Sequence, residues 1–371
     1  MSKNTGVISI GVRTPIIREG DDLANIVIGS VKDVLRENKM KIEDGDIIGI
    51  TESVVARAQG NYITVDDIAQ FLEENGYHKS IILYGPLMSR NRFSIVLKGI
   101  ARYAEKITIV LDPAGDEQGN PTYGINPYTD IDIQKYYTEL CDKEGCVLRF
   151  VPNTEALMYN PKFETYINAN CRPKDIYQIR TLADIMSTPV IRKDGTTSGY
   201  NAVWGVLGSN KATDEKLKLF PHHGDAQELV EAIQKYYLKR HKKHVEVLVY
   251  GDGCFKSPED ENGIAIWEFA DPVTCPAYTR GLDGLPNEIK IKAFADDQFK
   301  DLNGEELNEA IKKEINDNRN HDLLGSMNSQ GTTPRRFTDL LASLCDLMSG
   351  SGDKGCPVVL IKRYFLKYCD D

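Results

Sequence analysis

The chain has 371 residues, too many for one undivided hydrophobic core, so two or three packed units are expected. A hydrophobic share of 41% and a charged share of 27% are those of an ordinary globular protein, and no apolar run approaches the ~20 residues of a membrane span. A formal charge of -10 repels phosphate backbones, so neither nucleic acid nor a membrane is an expected partner.

Residues 7–12 alternate as a strand, and RTPIIREGDDL ends it and opens a helix at about 22–37. In that helix Leu23, Ile26, Val27, Val31, Val34 and Leu35 recur at helical spacing, while Asp21 and Asp22 stand where a carboxylate caps orphan N–H groups. The opening MSKNTGVISIGVRTP lacks the apolar core of a signal peptide, which makes a cytoplasmic location the expectation. DGD at 44–46 reads as a turn, and IIGITESVVARAQG begins as a buried strand whose following element closes at Gly60-Asn61.

From about 78 to 152 strands and helices alternate: SIILYG, MSRNRFSIVLKGIARYA, KITIVLD, IDIQKYYTELCDKEG and CVLRFV. That βαβαβ run predicts a parallel sheet with right-handed crossovers. Residues 153–175 read as an irregular return linker, followed by a helix at about 174–187 and a strand near 188–192. A Gly-rich segment, TTSGYNAVWGVLGSN, precedes the helix DAQELVEAIQKYYLKRH, whose basic end KRHKKH reads as solvated residues opposite the helix dipole. Strands follow at 245–253 and 263–272, flanking a polar loop; helices are expected at 305–318 and 338–350, the latter ended by Gly350, and PVVLIKRYF closes the chain as a buried strand. The eight cysteines form no CxxC pair, which argues against a disulfide framework or a zinc ribbon.

Candidate chemistry gathers in a few loops. Asp252, between Gly251 and Gly253 after a buried strand, is either a ligand for a hard cation or an Asp capping its own turn. Lys256 is a candidate to neutralise phosphate, and Arg57, at the polar end of its segment near Glu52 and Gln59, has the planar fork that grips phosphate or carboxylate. Gly205, Ser209 and Asn210 either orient a nucleotide or form a plain turn; Asp339 either joins Asp252 at a metal or caps its helix. In the βαβαβ unit, Ser89, Arg90, Asn91 and Arg92 open a helix after a strand, as in anion sites, and Asp116 and Glu117 follow the next strand on the same sheet edge. The six histidines make no metal-spaced cluster and there is no GxSxG elbow, so nucleophilic catalysis is not expected.

The segments REGDDLANIV, IEDGDIIGITESVVARAQGN, GVLGSN, VYGDGCFKSP with GIAIWEFADP, and TDLLASLCDLMSG with GCPVVLIKRY resemble, in that order, the coenzyme F(420)-0:gamma-glutamyl ligase family. The resemblance covers about residues 5–76 and 172–365; about 77–171 stands as an insertion absent from short family members. It implies a mixed α+β ligase scaffold with an inserted βαβαβ parallel-sheet subdomain, and an intertwined homodimer. The implied reaction joins L-glutamate to the carboxylate of a deazaflavin phosphodiester, using GTP (ATP is the alternative) and a divalent metal, Mg2+ or Mn2+, through an acyl phosphate. Under it Asp252 and Asp339 hold metal, Arg57 and Lys256 clamp the nucleotide, and Gly205, Ser209 and Asn210 line its site. The insertion is then expected to recognise the small-molecule carboxylate acceptor. One departure stands out: the family's GVDxSN carries a metal-binding Asp where this chain has Leu207, so the second site is lost or a carboxylate such as Asp214, Glu259 or Asp260 replaces it. Two other readings stay open, a non-catalytic nucleotide- or metabolite-binding protein and a metal-dependent nucleotide hydrolase.

Overall fold

The computed structural model describes residues 5–85, 90–111, 121, 123–152, 160, 162–168, 180–186, 190–191, 197–198, 205–221, 223–256, 268–284, 289–318, 336–350 and 354–370, with the backbone alone at 168, 180, 190–191, 197–198, 223, 252–256, 268–276 and 368. A five-stranded sheet lies at the centre, built from β1 (Ile8–Val12), β2 (Ile47–Thr51), β13 (Glu246–Lys256), β14 (Glu268–Tyr278) and β15 (Val358–Lys362) in the order β1-β15-β2-β13-β14. β2 and β13 run parallel, with Tyr250 level with Thr51; the other pairs are antiparallel.

Alternation along these strands explains the layers. Ile48, Ile50, Val247, Val249, Val358 and Leu360 face the helices α1 (Leu23–Glu37) and α6 (His223–His241). Ile47, Leu248, Tyr250, Val359 and Ile361 face the opposite way, onto α8 (Phe337–Ser349). α1 starts where expected: the Asp22 carboxylate accepts the Asn25 backbone N–H at 3.1 Å, and Leu23, Val27 and Val31 form its buried stripe. α8 stops at Gly350, whose φ of 61° is the left-handed conformation glycine adopts at no steric cost.

The expected parallel unit is present, and its sheet is larger than the βαβαβ run. β4 (Ser80–Tyr84), β5 (Lys106–Leu111) and β6 (Val147–Pro152) alternate with α4 (Arg90–Tyr103) and α5 (Ile133–Lys143), and the sheet order is β6-β5-β4-β7-β8. β7 (Glu164–Asn168) lies inside the segment expected to be an irregular linker, paired parallel to β4. β8 is Arg180–Thr181, and Leu182–Asp184 forms a 3-10 turn where an α-helix was expected; the first part of that span lies outside the described residues. In the central sheet β13 continues to Lys256 and β14 to Tyr278, so the Asp252 segment is extended hairpin backbone and not a loop after the strand.

A small antiparallel sheet joins the two larger ones: β11 (Ser209–Thr213), β12 (Lys216–Leu219) and β3 (Tyr62–Thr64), in that order. β3 leads into α3 (Val65–Glu74), an element the sequence reading passed over, started by a Thr64–Asp67 capping box. α3 packs against α4, and Ile63, Ile68, Leu72, Leu207, Leu217 and Phe220 share one apolar core with Ile81, Phe93, Val96 and Ile109 of the parallel unit.

Candidate functional site

At the carboxyl end of β2 the chain turns directly into α2 (Glu52–Ala58). On one side of this corner opens a cavity of about 470 Å³, lined among others by Thr14, Thr51, Ser53, Arg57, Gly350 and Cys356. Four segments meet there: the loop after β1, the β2–α2 corner, the end of α8 and the entry to β15. They converge because β1 and β2 flank β15: Val12 is level with Val358, and Thr51 donates its N–H to the Pro357 carbonyl at 2.9 Å. Arg57 is exposed and lines this space, where a guanidinium can grip an anion.

On the other side of the corner a polar cluster is buried. Glu52 is 4% exposed, and its Oε1 accepts the Asn210 Nδ2 at 2.9 Å and lies 3.9 Å from the Lys218 ammonium. Its Oε2 is buried and accepts no hydrogen bond among the described residues. Burial is the largest influence on this carboxyl and raises its proton affinity, against the pull of Lys218, the Asn210 bond and the Arg92 charge. Lys218 also donates to the Ser53 hydroxyl, so the buried cluster and the cavity wall touch.

Asp252 enters from β13. Gly251, the residue before it, lies so close to Glu52 that a Cβ would overlap the Glu52 Cγ; a glycine is what lets this backbone pass. The register breaks on either side of Gly251, where it sits opposite Thr274 and Gly253 sits opposite Asp271, and such irregularities bend a strand locally. The Asp252 and Lys256 side chains lie outside the described residues.

The other sequence candidates separate. Asn210 joins Glu52, whereas Ser209 spends its hydroxyl on the Val206 carbonyl at 2.6 Å. Gly205 has φ 46° and backs onto the Ile185 and Ala183 carbonyls, so close packing accounts for a glycine there. Asp339 occupies the first turn of α8, about 15 Å along the helix from the end that lines the cavity. Cys345 of the same helix is level with Gly49; Asp339 lies toward one end of the sheet from that level and Asp252 toward the other, so the fold does not bring the two together.

In the parallel unit Arg90 donates weakly to Thr129 at 3.4 Å, the exposed Asn91 uses its carbonyl to accept from Ser94, and Arg92 is 4% exposed and acts on Glu52. Arg92 thus faces the buried cluster instead of sharing an outer anion site with Arg90. Ser89, Asp116 and Glu117 lie outside the described residues. Leu207 is fully buried among apolar side chains. Of its suggested substitutes, Asp214 is an exposed residue paired with Lys211 at 2.5 Å, and Glu259 and Asp260 lie outside the described residues. Sequence reasoning named Glu52 only as a neighbour of Arg57; the signal was an acidic residue directly after the apolar run IIGIT.

Among the described residues no helix is long and apolar enough to cross a membrane. A stretch of 64 residues is 39% identical to the coenzyme F420:L-glutamate ligase of Methanothermobacter thermautotrophicus, covering 17% of this chain and 24% of that protein, so the match spans about a quarter of the relative. The family described as F420-0:Gamma-glutamyl ligase matches residues 11–363, through the strands, the β2–α2 corner and the parallel unit alike, and the chain belongs to that family.

Proposed function

We propose that this chain is an amide ligase of the gamma-glutamyl type, driven by GTP or ATP. The observation that carries the reading is the cavity at the carboxyl end of β2, where Arg57 stands among the hydroxyls of Thr14, Thr51 and Ser53. Its volume is in the range of small-molecule sites, and its position beyond the carboxyl ends of parallel strands is where α/β sheets bind ligands. Arg57 and the hydroxyls suit the phosphates of a nucleotide, and Lys256 is a second cation on the adjoining hairpin.

The reaction balances as two transfers. An oxygen of the acceptor carboxylate attacks the terminal phosphorus, and the nucleoside diphosphate leaves. The amine of the incoming amino acid, L-glutamate in this reading, then attacks the acyl carbon; the amide C–N bond forms, inorganic phosphate leaves, and the nitrogen gives up a proton. Arg57 holds phosphate oxygens in line and offsets charge that develops on them. A divalent cation, Mg2+ or Mn2+, when bound near Asp252, neutralises the triphosphate. Among the described residues no group of three acidic, histidine or cysteine side chains gathers to hold it, and the nearby Glu52 carboxylate is faced by Lys218 and Arg92. Acceptor recognition falls to the parallel unit, around Arg90 and Asn91.

The test pairs binding with product analysis. GTP or ATP with Mg2+ should raise the melting temperature, and Arg57→Met should weaken nucleotide binding at least tenfold with an unchanged circular dichroism spectrum. Mass spectrometry of reactions with glutamate and a panel of carboxylates should find the amide. Nucleotide binding with no turnover would favour a binding protein, inorganic phosphate without amide a hydrolase, and no binding at all would end the proposal.

A further inference from the structure

We propose that Lys218 is the second cation of the Arg57 cavity: it holds Ser53 from behind the wall, so that the Ser53 hydroxyl donates its proton to an anion bound beside Arg57. The inference rests on the ligase reading above, in which that anion is a phosphate group of the nucleotide, and makes Lys218 a positioning residue that acts through Ser53.

Three observations carry it. First, the cavity is short of positive charge for a triphosphate, since Arg57 is the one ionised side chain among the described residues that line it. Lys218, on β12 and 8% exposed, stands behind that lining, and its ammonium donates to the hydroxyl of Ser53, which belongs to the lining. A lysine buried this far is ordinarily held by a hydrogen-bonded carboxylate. Here Glu52 is 3.9 Å away, beyond hydrogen-bond distance, and the same carboxyl also answers the Arg92 charge. Burial favours the uncharged form of Glu52, which leaves part of the ammonium charge to the cavity side.

Second, Ser53 has a proton to give. Thr14 and Ser349, on the same wall, donate theirs to the backbone carbonyls of Pro15 and Asp346, each at 3.0 Å. Ser53 accepts from Lys218 and donates to no acceptor among the described residues. A hydroxyl that accepts from an ammonium is a stronger donor through its own proton, because each bond in such a chain polarises the next. Third, the fold sets the pair in place. Asn210 and Lys218 are level with each other on β11 and β12, and they grip consecutive residues in the first turn of α2: Asn210 binds Glu52 at 2.9 Å and Lys218 binds Ser53. Arg57 lies in the last turn of the same helix, four residues from Ser53, and side chains at that spacing share one helix face. The hydroxyl and the guanidinium therefore converge on one anion.

The experiment is calorimetric titration of the intact protein with non-hydrolysable GTP and ATP analogues in the presence of Mg2+, alongside ligand-free thermal melts. Lys218→Met and Ser53→Ala should each weaken binding of the preferred analogue about tenfold. The double variant should fall within about threefold of either single one, because the ammonium acts through the hydroxyl. Where Lys218→Met melts too low to titrate, the same change is read in the Glu52→Gln background, which leaves no buried carboxylate stripped of its cation. Unchanged affinity in Ser53→Ala would overturn the assignment, as would a loss in Lys218→Met that persists undiminished once Ser53 is alanine, the mark of a purely structural lysine. In either case analogue binding that depends on Arg57 would leave the ligase reading standing; absence of analogue binding by the unsubstituted protein would remove both.

Discussion

The Lys362 ammonium, fully buried at the end of β15, lies 2.5 Å from Asp46 Oδ2 at the entrance to β2, and so ties together two neighbouring strands of the central sheet. The same ammonium donates to the Lys41 carbonyl at 2.8 Å and lies 3.1 Å from Glu43 Oε2. Asp46→Asn removes the nearest counter-charge and leaves a buried cation, which should cost about 3 kcal/mol. Urea denaturation reads this directly, and the double variant with Lys362→Met should recover most of the loss. A single variant as stable as the parent would show that Glu43 alone suffices.

Cys356 is part-exposed on the wall of the cavity that holds Arg57, whereas Cys141, Cys146 and Cys345 are buried. A thiol reagent should therefore modify Cys356 readily, and saturating GTP or ATP should slow that modification at least fivefold. Peptide mapping distinguishes it from Cys369, which is also part-exposed and does not line the cavity. Equal rates with and without nucleotide would place the nucleotide elsewhere.

Burial pushes the Cys146 thiol up to about 11, and it pushes Cys141 and Cys345 further. In the unfolded chain these thiols ionise near pH 8.5. A thiol held protonated by the fold contributes stability that is complete below the unfolded value and lost as the pH rises toward the folded one. Stability should thus fall above about pH 9 by roughly 1.4 kcal/mol per pH unit for each thiol. Cys345→Ala should flatten this alkaline limb by about one thiol's share, measured as the urea midpoint across pH 8 to 11.

Restoring the family's acidic residue should fail. Leu207 is fully buried in a core shared by two sheets, helices and 3-10 turns, and an unpaired carboxylate there should cost about 4 kcal/mol or more. We expect Leu207→Asp to melt well below the parent without gaining Mn2+ affinity. A stable variant with tighter Mn2+ binding would mean that the surrounding segment re-forms around a metal.

Much of the scaffold was legible because it repeats a period. The stripe from Leu23 to Leu35 and the alternation of SIILYG with its following helix are local patterns that any fold must respect. β7 was missed because ETYIN is short and sits behind a segment rich in Asn and Pro, and its strand character comes from pairing with β4 across the sheet. α3 was missed although Thr64 and Asp67 mark its start, since the Gly60-Asn61 turn had already closed the preceding element. Arg57 could be singled out from its chemistry alone. The partner that fixes Glu52 could not, because Asn210 is 158 positions away and meets it only through the β3–β12–β11 sheet.

That small connecting sheet has one more implication. Ile63, Ile68, Leu217 and Phe220 are covered by side chains that belong to the parallel unit, and Arg92 of that unit reaches the cluster around Glu52. Excising residues 77–171 would strip this covering and expose a continuous oily face, inviting aggregation. The parallel unit is thus a wall of the core on which the β3–β12–β11 sheet rests.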